Sequence, residues 1–244
     1  PGTASSGTPP FDRVAQVSTE WNGKVYFEAN DGTHGIELWV TDGTTQGTRL
    51  VHDVAPGSAS SNPRHRFVAG NRLWFTASRG LWTTDGKSRG TRLVTPLWSF
   101  RLSMAEFGTR LMFSDGNQLG ITDGTPNGTQ RFPLPNGAFV SHLVVNGGTA
   151  YIAAYIASTW QFIRTDGTAA GTRVIGTTAG TNIDPNQTLL AHGNGALFGS
   201  NFVGLWRLDS TSATRLRSGA IHLAQSSPAT VQRKLFWLAV SPNA

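Results

Sequence analysis

The sequence predicts an all-β protein, a β-propeller of four-stranded antiparallel blades, from a repeated phrase and from the scarcity of any helical pattern. The phrase Leu-Trp-x-Thr-Asp-Gly-Thr recurs at Leu38 (LWVTDGT), Leu81 (LWTTDGK), Leu119 (LGITDGT), Phe162 (FIRTDGT) and Leu205 (LWRLDST). Its aspartates Asp42, Asp85, Asp123, Asp166 and Asp209 lie 43, 38, 43 and 43 residues apart. A period of about 40–45 residues is what four short strands and their turns occupy. No long stretch places apolar residues at i, i+3, i+4 and i+7, so helix content should be very low. The 29 Gly and 12 Pro among 244 residues supply the turns such a fold needs.

In the second repeat the strands fall at Arg66–Ala69, Arg72–Ala77, Gly80–Thr84 and Thr91–Pro96. Gly70-Asn71 turns the first strand into the second, and Asp85-Gly86 opens the turn from the third to the fourth. Both pairs suit positive φ or a turn capped by its own side chain. In the third strand of the first repeat, Leu38 and Val40 face one way and Trp39 the other. A sheet that is apolar on both faces is packed between two neighbours rather than wetted on one side.

A Gly-Thr follows five residues after four of the aspartates, at Gly47-Thr48, Gly90-Thr91, Gly128-Thr129 and Gly171-Thr172. In the last repeat Ala213-Thr214 takes its place one residue sooner. The five aspartates are therefore assigned to the frame, each carboxylate accepting hydrogen bonds from its own turn. Trp39, Trp82 and Trp206 share one position and are assigned to packing between blades. Arg49, Arg92, Arg173 and Arg215 follow the Gly-Thr or Ala-Thr step, with Gln130 standing there in the third repeat. They are expected near the turn aspartate as charge partners, or on an outer edge that discourages strand addition.

The phrases GIELWVTDGTTQGTRLVHDVAPGSASSNP and NRLWFTA resemble the bacterial ELWxxDGT repeat family, and the resemblance covers nearly the whole chain. The first repeat is close to the family pattern. The third to fifth depart from it progressively, with Gly120 and Ile163 where Trp39 stands. The resemblance implies a repeat protein of the secreted or surface-associated kind and names no activity.

The second-strand pattern recurs six times, from Val25-Tyr-Phe to Leu235-Phe-Trp, against five third-strand phrases. The expectation is six blades: five complete repeats, and a closing blade in which the segment Phe11–Ser18 pairs with C-terminal strands around Lys234–Val240 and hides the edges. Five blades is the alternative. Residues 1–10 (PGTASSGTPP) read as a linker and residues 11–244 as a single propeller domain. The chain begins at Pro1 rather than Met, which implies that a leader or an upstream region was removed.

The formal charge is +6, from 20 basic and 14 acidic residues, and only Lys24, Lys87 and Lys234 are lysines. Nucleic-acid binding wants clustered cations with stacking aromatics, whereas these arginines are spread by the repeat, so nucleic acid is not an expected partner. The absence of cysteine excludes disulfides and thiolate chemistry. No apolar run nears the roughly 18 residues of a membrane helix, so no insertion is expected. The histidines His34, His52, His65, His142, His192 and His222 are far apart in sequence. Asn30-Asp31-Gly32 with Glu37 lacks the alternating oxygens of a calcium loop, so neither a metal nor a cofactor is expected. Outside the frame the main carboxylates are Asp31, Glu37, Glu106, Asp115 and Asp184, and no nucleophile motif accompanies them. No catalytic residue is assigned.

Alternating strand direction puts the loops between second and third strands on the same face as the connections between blades. Those loops are long in the first repeat (Asn30–Ile36) and in the fourth (Ala154–Trp160), and variable loops on a constant frame are where binding sits. The candidate ligand-binding residues are Asp31 and His34, Tyr155 and Trp160, Trp98 with Arg101 after the second repeat, and Arg64 with His65 in the densest basic cluster. The out-of-frame aromatics can serve as platforms for a sugar ring. The functional expectation is a secreted or surface-exposed binding or scaffold module for a glycan or protein partner. A glycan-processing enzyme of sialidase-like architecture and a purely structural spacer are the alternatives.

Overall fold

The computed structural model describes residues 18–98, 102–179, 188–200 and 204–218. These residues form five four-stranded antiparallel sheets and no α-helix. The first sheet is β1 (Ser18–Trp21), β2 (Lys24–Asn30), β3 (Ile36–Thr41) and β4 (Arg49–His52). The second is β5 (Arg64–Ala69), β6 (Arg72–Ala77), β7 (Gly80–Thr84) and β8 (Arg92–Pro96). The third is β9 (Met104–Phe107), β10 (Arg110–Asp115), β11 (Gln118–Thr122) and β12 (Gln130–Pro133). The fourth is β13 (Phe139–Asn146), β14 (Thr149–Ile156), β15 (Thr159–Thr165) and β16 (Arg173–Ala179). The fifth is β17 (Thr188–His192), β18 (Gly195–Ser200), β19 (Gly204–Leu208) and β20 (Ala213–Arg217). In every sheet, spatial order follows chain order. Of the expected closing blade, residues 11–17 and Lys234–Val240 lie outside the described residues, as does the linker 1–10. Ser18 opens β1, opposite Phe27 of β2.

Contact density divides the chain into two compact units. The first is Pro1–Leu102, Gly108–Leu111 and Ile121–Gln130, and the second is Ser103–Phe107, Met112–Gly120 and Arg131–Ala244. In the first unit, Trp21, Tyr26, Leu38, Val40 and Val51 pack against Leu73, Phe75 and Ala77 of β6. Trp74 leaves β6 by the opposite face, fully buried, its indole N–H donating to the Ala69 carbonyl at 3.0 Å. In the second unit, Tyr151, Trp160 and Phe162 of the fourth sheet meet Leu189, Ala196, Phe198 and Leu208 of the fifth. From the other face of the fourth sheet, Ile152, Ala154 and Ile163 meet Leu119 and Phe132 of the third. Period-2 alternation here separates two apolar faces, because each is covered by another sheet.

The phrase tryptophans are seam residues more than deep core. Trp39, Trp82 and Trp206 are half-buried; Trp82 stacks on Phe75 with centroids 6.4 Å apart, and Trp206 lies 5.2 Å from Phe162. In the third repeat the Phe113 ring occupies the seam, and a Cβ on Gly120 would overlap it. Among the described residues the fully buried tryptophans are Trp74 and Trp160, which stand at other positions of their repeats.

Each Asp-Gly turn satisfies its own polar groups. Asp42 Oδ1 accepts from the Thr44 amide at 3.0 Å and from the Thr44 hydroxyl at 2.7 Å, and Thr44 Oγ1 in turn accepts from the Gly47 amide at 2.9 Å. Thr48 donates its hydroxyl to the Thr44 carbonyl at 2.7 Å, so in the 2.6 Å contact between the hydroxyls of Thr41 and Thr48 the proton comes from Thr41. The same network is built on Asp123 with Thr125 and on Asp166 with Thr168. Asp85 accepts from the Lys87 amide at 2.9 Å, and Asp209 from the amides of Thr211 and Ser212 at 2.9 and 2.8 Å. Glycine follows five residues on because the carboxylate lies against it: a Cβ at Gly47, Gly90, Gly128 or Gly171 would overlap the aspartate.

The arginines after the Gly-Thr step reach past their own turn aspartate to the turn of the next sheet. Arg49 donates to the Gly86 carbonyl at 2.7 Å, Arg92 to the Gly124 carbonyl at 2.7 Å, and Arg173 to the Ser210 carbonyl at 2.8 Å. A second-strand aromatic arrives at the same turn, Tyr26 against Gly86 and Trp74 against Gly124. The guanidinium finds a fixed carbonyl there because the turn's other groups are already bonded within it.

Two outcomes test this frame. Trp74→Ala should cost about 3–5 kcal/mol as a fully buried truncation, and Trp82→Ala measurably less because its ring is half-exposed, both read by urea unfolding. The carboxyls of Asp42, Asp123 and Asp166 are held below the usual range, chiefly by a threonine hydroxyl, and that of Asp209 at about 2, chiefly by the Thr211 amide. The unfolded chain therefore binds more protons in acid, so the stability these groups contribute is intact above the ordinary value of about 4 and is lost as pH falls below it. Urea midpoints at several pH values between about 2 and 6 should fall in that window. Turn variants such as Asp123→Asn should show a shallower acid slope.

Candidate functional site

The connection from β4 to β5 (residues 53–63) is rich in Ala, Ser, Pro and Gly and has little apolar surface with which to hold itself down. Glu37, the second residue of β3, anchors it. Its carboxylate is wholly buried and accepts from the amides of Ala55 (3.1 Å), Val54 (3.4 Å) and Ser61 (3.1 Å) and from the Ser61 hydroxyl (2.5 Å). Four donors converging on two oxygens make a buried charge tolerable. Alongside, the Ile36 amide donates to Ser60 Oγ at 2.9 Å, and the Asn62 amide to the Ile36 carbonyl at 3.2 Å. Gly35 lies so close to this connection that a Cβ would overlap the Ala59 carbonyl.

Beyond the connection, β5 carries a bulge. Arg64 is opposite Thr76 and Phe67 opposite Trp74, so one residue is extra, and His65 takes a left-handed φ of 48°. Bulges of this kind re-aim side chains. Arg66 is consequently turned inward: its side chain is 2% exposed, pairs with Glu28 at 3.5 Å and donates to the Pro63 carbonyl at 3.1 Å. The hairpin from β6 to β7 turns on Ser78 and Arg79, with φ 45° and 58°, positions where Asn and Gly are the ordinary occupants. The turn is clamped from both sides, the Ser78 amide donating to the Ser61 carbonyl at 2.9 Å and the Leu97 amide to the Arg79 carbonyl at 2.8 Å.

These pieces line an open cavity of about 1000 Å³ within the first unit. Ser60, Ser61 and Asn62 line it from the connection, Arg64 and His65 from the bulge, Ser78 and Arg79 from the turn, and Leu97 and Trp98 from the strand end beyond β8. Trp98 is 83% exposed. No carboxylate is among the described lining residues. Thr76 donates to the Arg64 carbonyl at 3.2 Å, so His65 Nδ1, 3.1 Å from Thr76 Oγ1, carries the proton and leaves Nε2 as an acceptor. Burial first, then Arg64 and Arg66, push the His65 imidazole below its ordinary value and keep it neutral at pH 7.

Of the candidates named from sequence, Arg64, His65 and Trp98 line this cavity, and Arg101 lies outside the described residues. Asp31 and His34 close a loop of their own. Asp31 accepts from the amides of Thr33 and His34 at 2.9 Å and meets His34 Nδ1 at 2.7 Å. Those bonds, the His34 amide foremost, hold the Asp31 carboxyl at about 2. The expected long loop of the fourth repeat is not a loop. β14 and β15 pair through Tyr155 and Trp160 and turn on Ala157 and Ser158 alone, with φ 45° and 63°. Trp160 is therefore wholly buried, 5.3 Å from Phe198, with Tyr155 half-buried against it at 5.2 Å. The pair Ala-Ser is atypical of a two-residue turn, which made the segment read as a longer connection. Sequence reasoning passed over Ser61, Asn62 and Arg79. The legible signal was a Ser-Arg pair at the centre of a two-residue hairpin.

Among the described residues no three His, Asp or Glu side chains are grouped as a metal site, and no helix is long and apolar enough to cross a membrane. No family model and no curated protein matches the chain. Solved structures do. BamB from Moraxella catarrhalis matches at 14% identity with a TM-score of 0.54, over 83% of this chain and 59% of that one. AztD from Citrobacter koseri matches at 13% identity with a TM-score of 0.54, over 82% and 57%. The computationally designed Ika8 protein matches at 14% identity with a TM-score of 0.52, over 83% and 60%. The chain thus spans less than two thirds of the length of each. The likeness shows the fold, a β-propeller.

Glu37→Gln turns an amide N–H2 toward groups that are themselves donors. It should destabilise the protein by about 1–3 kcal/mol. Amide exchange should accelerate at Val54, Ala55 and Ser61 while the turn amides of Thr125 and Gly128 stay protected.

Proposed function

We propose that this chain is a binding module that recognises a glycan in the cavity of the first unit. The observation that carries the reading is an exposed indole, Trp98, beside a walled cavity lined by hydroxyl, amide and guanidinium groups. Sugar recognition uses those parts: an aromatic face for the C–H side of a ring and fixed polar groups for its hydroxyls. Glycoside hydrolysis uses a pair of carboxylates, and the described lining residues offer hydroxyl, amide and guanidinium groups instead, which favours recognition over turnover. The resemblance of LWVTDGTTQGT and its surroundings to the ELWxxDGT repeat family supports a place outside the cell or on its surface, where glycan partners are found. The propeller supplies a rigid frame for this, and its fold alone does not select a ligand.

The test is a glycan array followed by calorimetry on the parent, on Trp98→Ala and on Asp123→Ala, whose turn contributes no residue to the described cavity lining. Binding should weaken about tenfold or more in Trp98→Ala, as expected for a lost aromatic anchor, and stay within about twofold in Asp123→Ala. A ligand retained by Trp98→Ala would place recognition elsewhere, and release of reducing sugar from a bound oligosaccharide would make the chain an enzyme.

A further inference from the structure

We infer that the ligand of this cavity is an acidic saccharide, one whose carboxylate or sulfate ester is held by Arg64 and Arg79; this rests on the glycan reading above and specifies its charge. Three independent observations lead there.

The first is charge. Both arginines line the cavity, and neither guanidinium makes an ion pair or a side-chain hydrogen bond among the described residues. Arg89 and Arg110 of this unit lie outside the cavity lining, and the remaining described arginines are committed. Arg49, Arg72 and Arg92 donate to carbonyls, and Arg66 is paired with Glu28. Glu37, which holds the connection, is wholly buried and saturated by four donors, and neither it nor Asp53 is among the described lining residues. An unpaired, anion-seeking lining is what remains.

The second is backbone conformation. Nine non-glycine residues among those described have left-handed φ, and four of them, Asn62, His65, Ser78 and Arg79, line this cavity. Such conformations cost free energy and persist where the surrounding structure over-determines them. Here they place an arginine where a hairpin would ordinarily carry Gly or Asn.

The third is the company the charges keep. A bare inorganic anion needs no aromatic face and a far smaller volume. A cavity of about 1000 Å³ with an 83% exposed Trp98 fits a ligand with ring faces as well as a charge. Neutral His65, with Nε2 as acceptor, adds a partner for a hydroxyl proton.

The probes are an oligogalacturonate, the same oligosaccharide fully methyl-esterified, a sulfated neutral oligosaccharide, and a single-stranded oligonucleotide of similar charge. They are titrated calorimetrically into the parent and into Arg64→Gln, Arg79→Asn and the charge control Arg110→Gln. Asparagine at position 79 tolerates the left-handed backbone, so the hairpin is kept. The expected result is that at least one of the two acidic saccharides binds about tenfold or more tightly than the methyl ester. Each cavity variant should lose about tenfold to a hundredfold of that affinity while Arg110→Gln stays near the parent. Preference for the oligogalacturonate assigns a carboxylate, and preference for the sulfated oligosaccharide a sulfate ester. Equal binding of acid and ester, with loss in Trp98→Ala, would overturn this inference and leave the glycan reading standing. No binding of either acidic saccharide, or tighter binding of the oligonucleotide that is lost in the same two variants, would overturn it as well. The oligonucleotide result would also remove the glycan reading.

Discussion

A carbonyl oxygen in three of the five turns, Gly86, Gly124 or Ser210, receives the guanidinium of the preceding repeat, and that contact is the constraint on which the packing of those neighbouring sheets depends. It works because the turn has already satisfied its own donors and acceptors: the aspartate, the threonine hydroxyls and the glycine amide close on one another within eight residues. A fixed acceptor met by a charged donor contributes about 1.5–3 kcal/mol, less than the aggregate burial of the aromatic and aliphatic faces around it. Its particular contribution is direction. Apolar faces slide over one another at small cost, whereas a hydrogen bond at 2.7 Å to one carbonyl holds a single offset between neighbouring sheets.

The repeats share this frame but not what lies beyond it. At the place of Glu37 the later repeats have Gly80, Gln118, Gln161 and Gly204. The first repeat alone has a carboxylate there, and it draws residues 54–61 into a wall. In the fourth repeat Gln161 is buried in the equivalent position, and its Oε1 finds no donor among the described residues. A neutral amide oxygen cannot gather several N–H groups as a carboxylate does. The asymmetry of the candidate site follows from one charged residue in one repeat.

Preorganisation is the common thread of the cavity. The anchored connection, the bulge at His65 and the hairpin clamped between Ser61 and Leu97 are all held by the protein's own hydrogen bonds before any ligand arrives. A ligand entering such a site does not have to order a loop, a cost that otherwise subtracts from affinity. The two arginines are the exception, with long side chains held only at their Cα ends, and a charged partner would be what fixes them.

The sequence by itself determined the repeat, the four strands of each repeat and their turns, because these rest on local chemistry. Asp-Gly and Gly-Thr dictate turns, and alternating apolar residues dictate strands with two covered faces. In the second repeat the strands β6 and β7 run between the residues read from sequence. Among the candidate residues, Trp98 was legible because it stands out of the repeat frame, and Arg64 and His65 because they form the densest basic cluster. What only the tertiary structure decided is everything that depends on contacts distant in sequence. Arg49 reaches a turn 37 residues away rather than its own aspartate. Trp160 is core because β14 and β15 continue pairing to a two-residue turn, and pairing of backbone groups outweighs the weak turn preference of Ala-Ser. Ser61, Asn62 and Arg79 come together only because a buried glutamate and a strand bulge place them, and neither a desolvated charge nor an extra strand residue leaves a periodic trace in the sequence.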